Sequence, residues 1–225
     1  MSIISSNDYL NYLKTHYKNL DYYNQFLLVP IGNNDTILDY GCGLGGLLTK
    51  IHSEHPNTQL IGVDISSQIT QQAKKNCSFA KIQKIVHGRP TTLHSGSIDT
   101  IFCLDVIEHS ENPTLILNEL RRLLKPNGKI ILCTPDIFSF WPKGKSRNPI
   151  TNIIFNIYRQ FGIEYIDPTH LKEFSVYDMY RLLKRSGFVK MHSNTCDMLH
   201  LIPFLNLVTH QPASFIWVIS RSKFF

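Results

Sequence analysis

The run Ile37-Leu38-Asp39-Tyr40-Gly41-Cys42-Gly43-Leu44-Gly45-Gly46-Leu47 constrains the fold more than any other stretch of the chain. An apolar segment ends in an acidic residue, a glycine-rich turn follows, and a helical pattern opens directly after it. Glycines there permit positive φ and let a ligand approach the backbone. A side chain would cost roughly 1–2 kcal/mol at each strained position. Strand, tight turn and helix in that order form the opening unit of a doubly wound sheet, which binds ligands at the carboxyl ends of its strands.

The rest of the sequence continues the alternation. Apolar runs predict strands at Thr36–Asp39, Gln59–Asp64, Lys81–His87, Ser97–Leu104 and Lys129–Thr134. Helical patterns fall between them at about Leu44–Glu54, Ser67–Phe79 and Pro113–Leu124. The third helix carries Asn112 as its expected N-cap, Pro113 at its first position and Pro126-Asn127-Gly128 as its stop. A further helix is expected near Val176–Ser186, then strands near Phe188–His192 and Ser214–Ser220. This is an α/β pattern with a mostly parallel sheet. The 225 residues suffice for one domain with a full core, read here as 1–225. Two segments break the rhythm. Residues 1–30 are rich in Tyr, Leu and Asn and read as a helical cover. Residues 136–169 form a long excursion in which Ile150, Ile153, Ile154, Ile157, Tyr158 and Phe161 recur at helical spacing. That stripe either packs on the domain or walls a substrate site. Met198–Val208 is a second apolar stretch, read as core or lid packing.

Composition narrows the partners. At 43% hydrophobic and 18% charged, the chain is globular rather than disordered or fibrous. Its formal charge of +6 is scattered, apart from Lys143-Gly144-Lys145-Ser146-Arg147, and lacks the dense stripe of a nucleic-acid binder. No apolar run reaches the roughly 18 residues of a spanning helix. Met1 to Asn11 are polar and do not read as a signal peptide, so a cytoplasmic location is expected. Five cysteines (Cys42, Cys77, Cys103, Cys133 and Cys196) are far apart and read as buried thiols in a reducing compartment, neither disulfides nor zinc ligands.

Gly41-x-Gly43-x-x-Gly46, with Asp64 ending the second strand, also matches the dinucleotide fingerprint. Asp39 tilts the reading. A carboxylate two residues before the glycines repels a pyrophosphate but suits an ammonium or a sulfonium. The loop therefore fits a cationic amino acid joined to a nucleoside, which describes S-adenosylmethionine.

On these residues the chain resembles the class I S-adenosylmethionine-dependent methyltransferases. Asp39-Tyr-Gly-Cys-Gly-Leu-Gly resembles the family's first motif, and Gly62-Val-Asp64-Ile-Ser66 the second, whose acid holds the ribose hydroxyls. Ser97 to His109 is similar to the motif around the fourth strand, and Leu123 to Pro135 to the turn and fifth strand. His170-Leu-Lys-Glu-Phe174-Ser175, followed by Leu182 to Phe188, is similar to the ubiquinone-biosynthesis O-methyltransferase-like branch. The resemblance implies a Rossmann-like, mostly parallel seven-stranded sheet with an antiparallel last strand. It also implies cofactor contacts from Asp39, Gly41, Cys42, Gly43, Asp64, Ile65 and Leu104. One position departs from the pattern: His87-Gly88-Arg89-Pro90 places Arg89 about where the family has an acid beside the adenine amino group.

Asp105-x-x-Glu108-His109 ends the fourth strand, where an acceptor would meet the methyl group. His109 suits a general base, with an unperturbed pKa of about 6.5. Alternatively Asp105, Glu108 and His109, with His170, would hold Mg²⁺ and acidify a hydroxyl acceptor, as the resemblance suggests. A third reading has Glu108 and His109 merely orient the start of the next helix. The expected reaction is methyl transfer to an oxygen or nitrogen of a small aromatic or lipid-like acceptor. Phe138, Phe140, Trp141, Phe155, Tyr158, Phe161 and Tyr165 beside Lys143, Lys145 and Arg147 suit such a molecule, including one met at a membrane surface. RNA 2′-O-methylation, an NAD-binding oxidoreductase and a non-catalytic S-adenosylmethionine-binding module are the competing readings. Nothing in the sequence fixes an oligomeric state.

Overall fold

The computed structural model describes residues 20–135, 171–172, 174–195 and 214–221. A 3-10 helix at Leu20–Phe26 precedes β1 (Thr36–Tyr40), α1 (Gly46–Glu54), β2 (Gln59–Asp64), α2 (Ser67–Asn76) and β3 (Lys81–Lys84). Then follow β4 (Ile98–Leu104), α3 (Pro113–Leu123), β5 (Leu124–Pro135), α4 (Val176–Arg185), β6 (Phe188–Thr195) and β7 (Ser214–Arg221). The seven strands make one sheet in the order β3-β2-β1-β4-β5-β7-β6. All pairings are parallel except those of β7, which runs antiparallel to both β5 and β6. The expected seven-stranded α/β architecture is therefore the one found.

Strand order reverses between β1 and β4. Chain leaving β1 turns toward α1 on one face, while chain leaving β4 leads to α3 on the other. A crevice opens at their carboxyl ends, the place where doubly wound sheets bind ligands. The strands are apolar on both faces because both are covered. One face buries Leu38, Ile101, Ile130 and Leu132 against Ile116, Leu117 and Leu120 of α3 and Met179 and Leu183 of α4. The other buries Ile37, Phe102 and Ile131 against Leu47, Leu48 and Ile51 of α1, Ala73 of α2, and Tyr23 and Phe26 of the 3-10 helix.

Local chemistry sets the helix boundaries. The Ser66 hydroxyl accepts from Ile69 N at 3.3 Å and starts α2. The Ser175 hydroxyl accepts from Asp178 N at 3.1 Å and donates to its carboxylate at 2.7 Å, which starts α4. Three expectations need correction. Asn112 stands at the N-cap of α3 but makes no side-chain capping bond; the Ser110 hydroxyl accepts from Asn112 N instead, at 3.1 Å. Helix α3 does end before Pro126, as a residue preceding proline requires. Yet Pro126-Asn127-Gly128 falls within the span of β5, absorbed by a register shift between Ile98 and Thr100 of β4. Strand β3 and helix α2 also stop short of His87 and Phe79, although Ile85 N still reaches Asp64 O at 2.9 Å.

Residues 1–19, the 136–169 excursion, His170, Cys196 and the Met198–Val208 stretch lie outside the described residues. Of the expected N-terminal cover, the described part is the 3-10 helix with Tyr23 and Phe26 buried. Cys42, Cys77, Cys103 and Cys133 are buried free thiols. Among the described residues no helix is long and apolar enough to cross a membrane.

Candidate functional site: a nucleoside crevice at the carboxyl edge of the sheet

The crevice is built from the turn after β1. Gly41 N and Cys42 N both donate to Val63 O, at 2.8 and 3.0 Å, so the end of β2 clamps the loop. Gly43 N donates to one Asp64 carboxylate oxygen at 3.3 Å, and Ser66 N to the other at 2.8 Å. Asp64 thus joins two loops before any ligand arrives. Gly41 has a φ of +91°, and a Cβ on it would lie 2.3 Å from Cγ2 of Val106. That position requires glycine twice over, by its backbone angle and by the close approach of the segment after β4.

Asp39 lies at the base of the crevice, 4% exposed. Burial, reinforced by the Asp64 carboxylate, raises its pKa to about 7. Burial also raises Asp64, against the lowering effect of its backbone bonds. A buried carboxyl in that state is stabilised by a cation set beside it. An amino-acid ammonium supplies one; a pyrophosphate does not.

Ile65 and Val86 are 58% and 55% exposed where the chain leaves β2 and β3. Two apolar side chains bared on that edge suit the flat face of a base. Leu104, half-buried, ends β4. Arg89 lies on the exposed turn after β3, its N–H donating to Val86 O at 3.1 Å. The structure thus gathers Asp39, Gly41, Cys42, Gly43 and Asp64 into one loop cluster, with Ile65 beside it and Leu104 at the neighbouring strand end. Glycine loop, buried acid and bared apolar edge together fit S-adenosylmethionine.

The segment after β4 divides the other expected residues. Asp105 has a φ of +52°, a left-handed angle that costs a non-glycine residue about 1–3 kcal/mol and concentrates at functional sites. Its N–H donates to Cys133 O at 3.1 Å. His109 is half-buried and closes a tight turn, its N–H donating to Val106 O at 3.2 Å. Glu108 is different: it is 1% exposed, and Thr134 Oγ1 donates to its Oε2 at 3.1 Å. The Glu108 carbonyl also accepts from Leu171 N and Lys172 N, at 2.9 and 3.0 Å.

That arrangement does not fit the expected Mg²⁺ site. One proposed ligand is turned inward onto Thr134, and among the described residues no three His, Cys, Asp or Glu side chains are grouped to hold a metal. His170, the fourth expected ligand, lies outside the described residues.

Several contributors had no signal in the sequence. Val106 packs on Gly41. Thr134 holds Glu108 from the end of β5. His87 Nε2 and the Ser110 hydroxyl lie 3.3 Å apart, joining the turn after β3 to the segment after β4. None sits in a recognisable spacing, because each reaches its partner only through the sheet.

The chain is similar to known methyltransferases. Residues 31–187 match the family model described as a methyltransferase domain. A malonyl-[acyl-carrier protein] O-methyltransferase of Halalkalibacterium halodurans is 28% identical over 144 residues, covering 60% of this chain and 52% of the relative. A ubiquinone biosynthesis O-methyltransferase of Xanthomonas oryzae pv. oryzae is 32% identical over 104 residues, covering 44% of this chain and 42% of the relative. The chain thus spans about half the length of these curated relatives. The crystal structure of a SAM-dependent methyltransferase from Archaeoglobus fulgidus superposes with a TM-score of 0.64 at 17% identity, covering 95% of this chain and 99% of that one. With more than half its length matched to the family model and a crevice shaped for the family's cofactor, the chain belongs to the methyltransferase-domain family of class I S-adenosylmethionine-dependent methyltransferases.

Proposed function

We propose that this chain transfers the methyl group of S-adenosylmethionine to an oxygen, or a nitrogen, of a small aromatic or lipid-like acceptor. The observation that carries the reading is Asp39: a buried carboxyl with its pKa raised to about 7, beside a glycine loop tied to Asp64. The acceptor class is supported by the names of two relatives, a malonyl-[acyl-carrier protein] O-methyltransferase and a ubiquinone biosynthesis O-methyltransferase.

S-adenosylmethionine supplies an activated methyl on a sulfonium, so positioning outweighs chemical assistance. Aligning the acceptor with the methyl contributes on the order of 7–11 kcal/mol, and a general base about 10²–10⁴-fold. Asp39 holds the ammonium, Asp64 the ribose hydroxyls, and Gly41, Cys42 and Gly43 keep the loop close to the ligand. Ile65 and Leu104 flank it. On the acceptor side Asp105 and His109 would face the reacting atoms, and His109 would accept the acceptor's hydroxyl proton. Bound S-adenosylmethionine would supply the methyl group, its sulfur–methyl bond breaking as the oxygen–methyl bond forms and S-adenosylhomocysteine leaving. Glu108, held by Thr134, fixes the turn that carries His109. Arg89 falls about where the resemblance expects an acid, so on this reading backbone groups rather than a carboxylate meet the adenine amino group.

Calorimetric titration of the chain with S-adenosylhomocysteine, with NADH in parallel, tests the reading. Micromolar binding of the first alone is expected; binding of NADH alone, or of neither, overturns it. With an acceptor in hand, His109→Ala lowers turnover about 10²–10⁴-fold and leaves S-adenosylhomocysteine affinity unchanged. Acceptor affinity that falls steeply with salt would mark the acceptor as RNA.

A further inference from the structure

Each residue of the glycine loop from Gly41 to Gly45 is tied to one unit, the strand β2 and the helix α2 that follows it. The start of that unit holds the loop by its N–H groups: Gly41 N and Cys42 N donate to Val63 O, and Gly43 N to the Asp64 carboxylate. Its far end holds the loop by its carbonyls. Asn76, the last residue of α2, donates from Nδ2 to Leu44 O at 2.9 Å. Cys77, which caps the helix, donates from Sγ to Gly45 O at 3.4 Å. Gly45 makes room for that thiol, since a Cβ on it would lie 2.3 Å from Sγ. Leu44 precedes the N-cap of α1, and the helix begins its own bonding only at the Gly45 carbonyl, with Thr49 N at 2.9 Å. The Leu44 carbonyl is met instead by a side chain 32 positions further on.

The Asn76 amide is itself held. Gln72 Nε2, one helical turn earlier, donates to Asn76 Oδ1 at 3.0 Å. With its oxygen facing that donor, the amide keeps its NH2 for Leu44. We propose that Asn76 is a positioning residue for the cofactor, which acts through the Leu44 carbonyl to hold the glycine loop in the shape S-adenosylmethionine requires. The proposal rests on the reading of the crevice as a site for that molecule. Gly43 and Gly45 have φ of +50° and +87°, and glycines leave a backbone free to take many shapes. A loop that the ligand must order loses affinity, and one ordered beforehand keeps it. The Asp64 bond fixes the peptide unit before Gly43, and the Asn76 bond fixes the one after Leu44, so the turn between them is held from both ends. Nothing in the motifs marks Asn76, because it is an exposed residue at the far end of the next helix.

The test titrates wild-type chain, Asn76→Asp, Gln72→Glu and Lys75→Gln with S-adenosylhomocysteine, and records the urea midpoint of each. Asn76→Asp keeps the side chain's shape and sets a carboxylate oxygen against the Leu44 carbonyl where the donor was. It is expected to weaken binding about fivefold, on the scale of one hydrogen bond. Gln72→Glu leaves Asn76 in place but offers its NH2 a competing acceptor, so a loss of about two- to threefold is expected. Lys75→Gln makes the same change of charge at the same helix end and should bind as wild type. Its urea midpoint sets the cost of that charge, and Asn76→Asp should fall no lower. An equal loss of affinity in Lys75→Gln would make charge the cause and overturn the proposal. Wild-type affinity in Asn76→Asp, with or without a lower midpoint, would make Asn76 a helix-end residue and overturn it too. In that case only this inference falls, provided wild-type chain binds S-adenosylhomocysteine. If wild-type chain does not bind it, the reading of the crevice falls as well.

Discussion

The glycine loop after β1 and the turn after β4 meet where Val106 packs on Gly41, and they keep their shapes by opposite means. The loop is defined by what is missing: Gly41 gives way to Val106, and Gly46 to Tyr23. The turn is defined by what is buried: Glu108 points inward onto Thr134, and Asp105 accepts a left-handed angle beside it. A loop of absences leaves its backbone open to a ligand. A turn anchored by a buried acid holds its backbone on a fixed frame. On the proposed reading, the first region serves close approach of the cofactor and the second serves orientation of the acceptor.

The sharpest way to break the contrast is Gly41→Ala. The new methyl meets Val106 at 2.3 Å on a φ of +91°, so S-adenosylhomocysteine affinity is expected to fall by more than about a hundredfold. Gly96→Ala is the control: φ is +65° but nothing lies within 4 Å, so it costs about 1 kcal/mol in urea unfolding and leaves affinity intact. Equal damage from both would mean that the backbone angle, not the approach of Val106, sets the loop.

On the other side, Thr134→Val removes the bond to Glu108 Oε2 and is expected to cost about 1–3 kcal/mol in urea unfolding, because a buried acid loses a donor. S-adenosylhomocysteine affinity should stay the same. A matching loss of affinity would show that the two regions are one cooperative unit.

The third prediction concerns protons. With Asp39 at about 7 in the empty crevice, the free state holds the extra proton and an ammonium ligand displaces it. S-adenosylhomocysteine affinity should therefore fall as pH drops below 7, by up to about tenfold per unit, and level off above it. Calorimetry in buffers of different ionisation enthalpy should record proton release at pH 7, and Asp39→Asn should abolish it. The smallest expected effect belongs to the turn after β3. Arg89→Asp puts an acid about where the resemblance expects one beside the adenine amino group, and on the proposed reading should tighten S-adenosylhomocysteine binding by about two- to fivefold, on the scale of one exposed polar contact. Unchanged affinity would place Arg89 away from the base.

The cofactor side was legible in the sequence because its signals are local. Ile37 to Leu47 contains strand, turn and helix within eleven consecutive positions, and Asp64 announces itself by ending the next apolar run. Alternation of apolar runs with helical patterns likewise gave the α/β sheet. What stayed hidden depends on partners distant in sequence. Glu108 and His109 are neighbours in the chain, yet Glu108 is buried with Thr134 on its carboxylate while His109 is half-buried, and spacing alone does not separate them. Pro126-Asn127-Gly128 does follow the end of α3 as expected, and only pairing with β4 shows that a register shift lets β5 run through it. Asn112 has the chemistry of a cap, but its side chain makes no capping bond, and its own N–H is taken up by the Ser110 hydroxyl. Tyr23 was invisible for the same reason, since its neighbour Gly46 is set by folding rather than spacing.

The placement of β7 between β5 and β6 has a consequence for synthesis. On a ribosome the strands emerge in numerical order, so β5 is complete long before the strand that pairs with its Lys129–Pro135 stretch. Until then the growing polypeptide offers Ile131, Leu132 and Cys133 on an open, apolar border, the kind of border that recruits other chains. The nucleoside-binding half can be assembled during that interval, while the border stays open until translation of β7. Newly made chains should therefore depend on chaperones most strongly in the window between those two events.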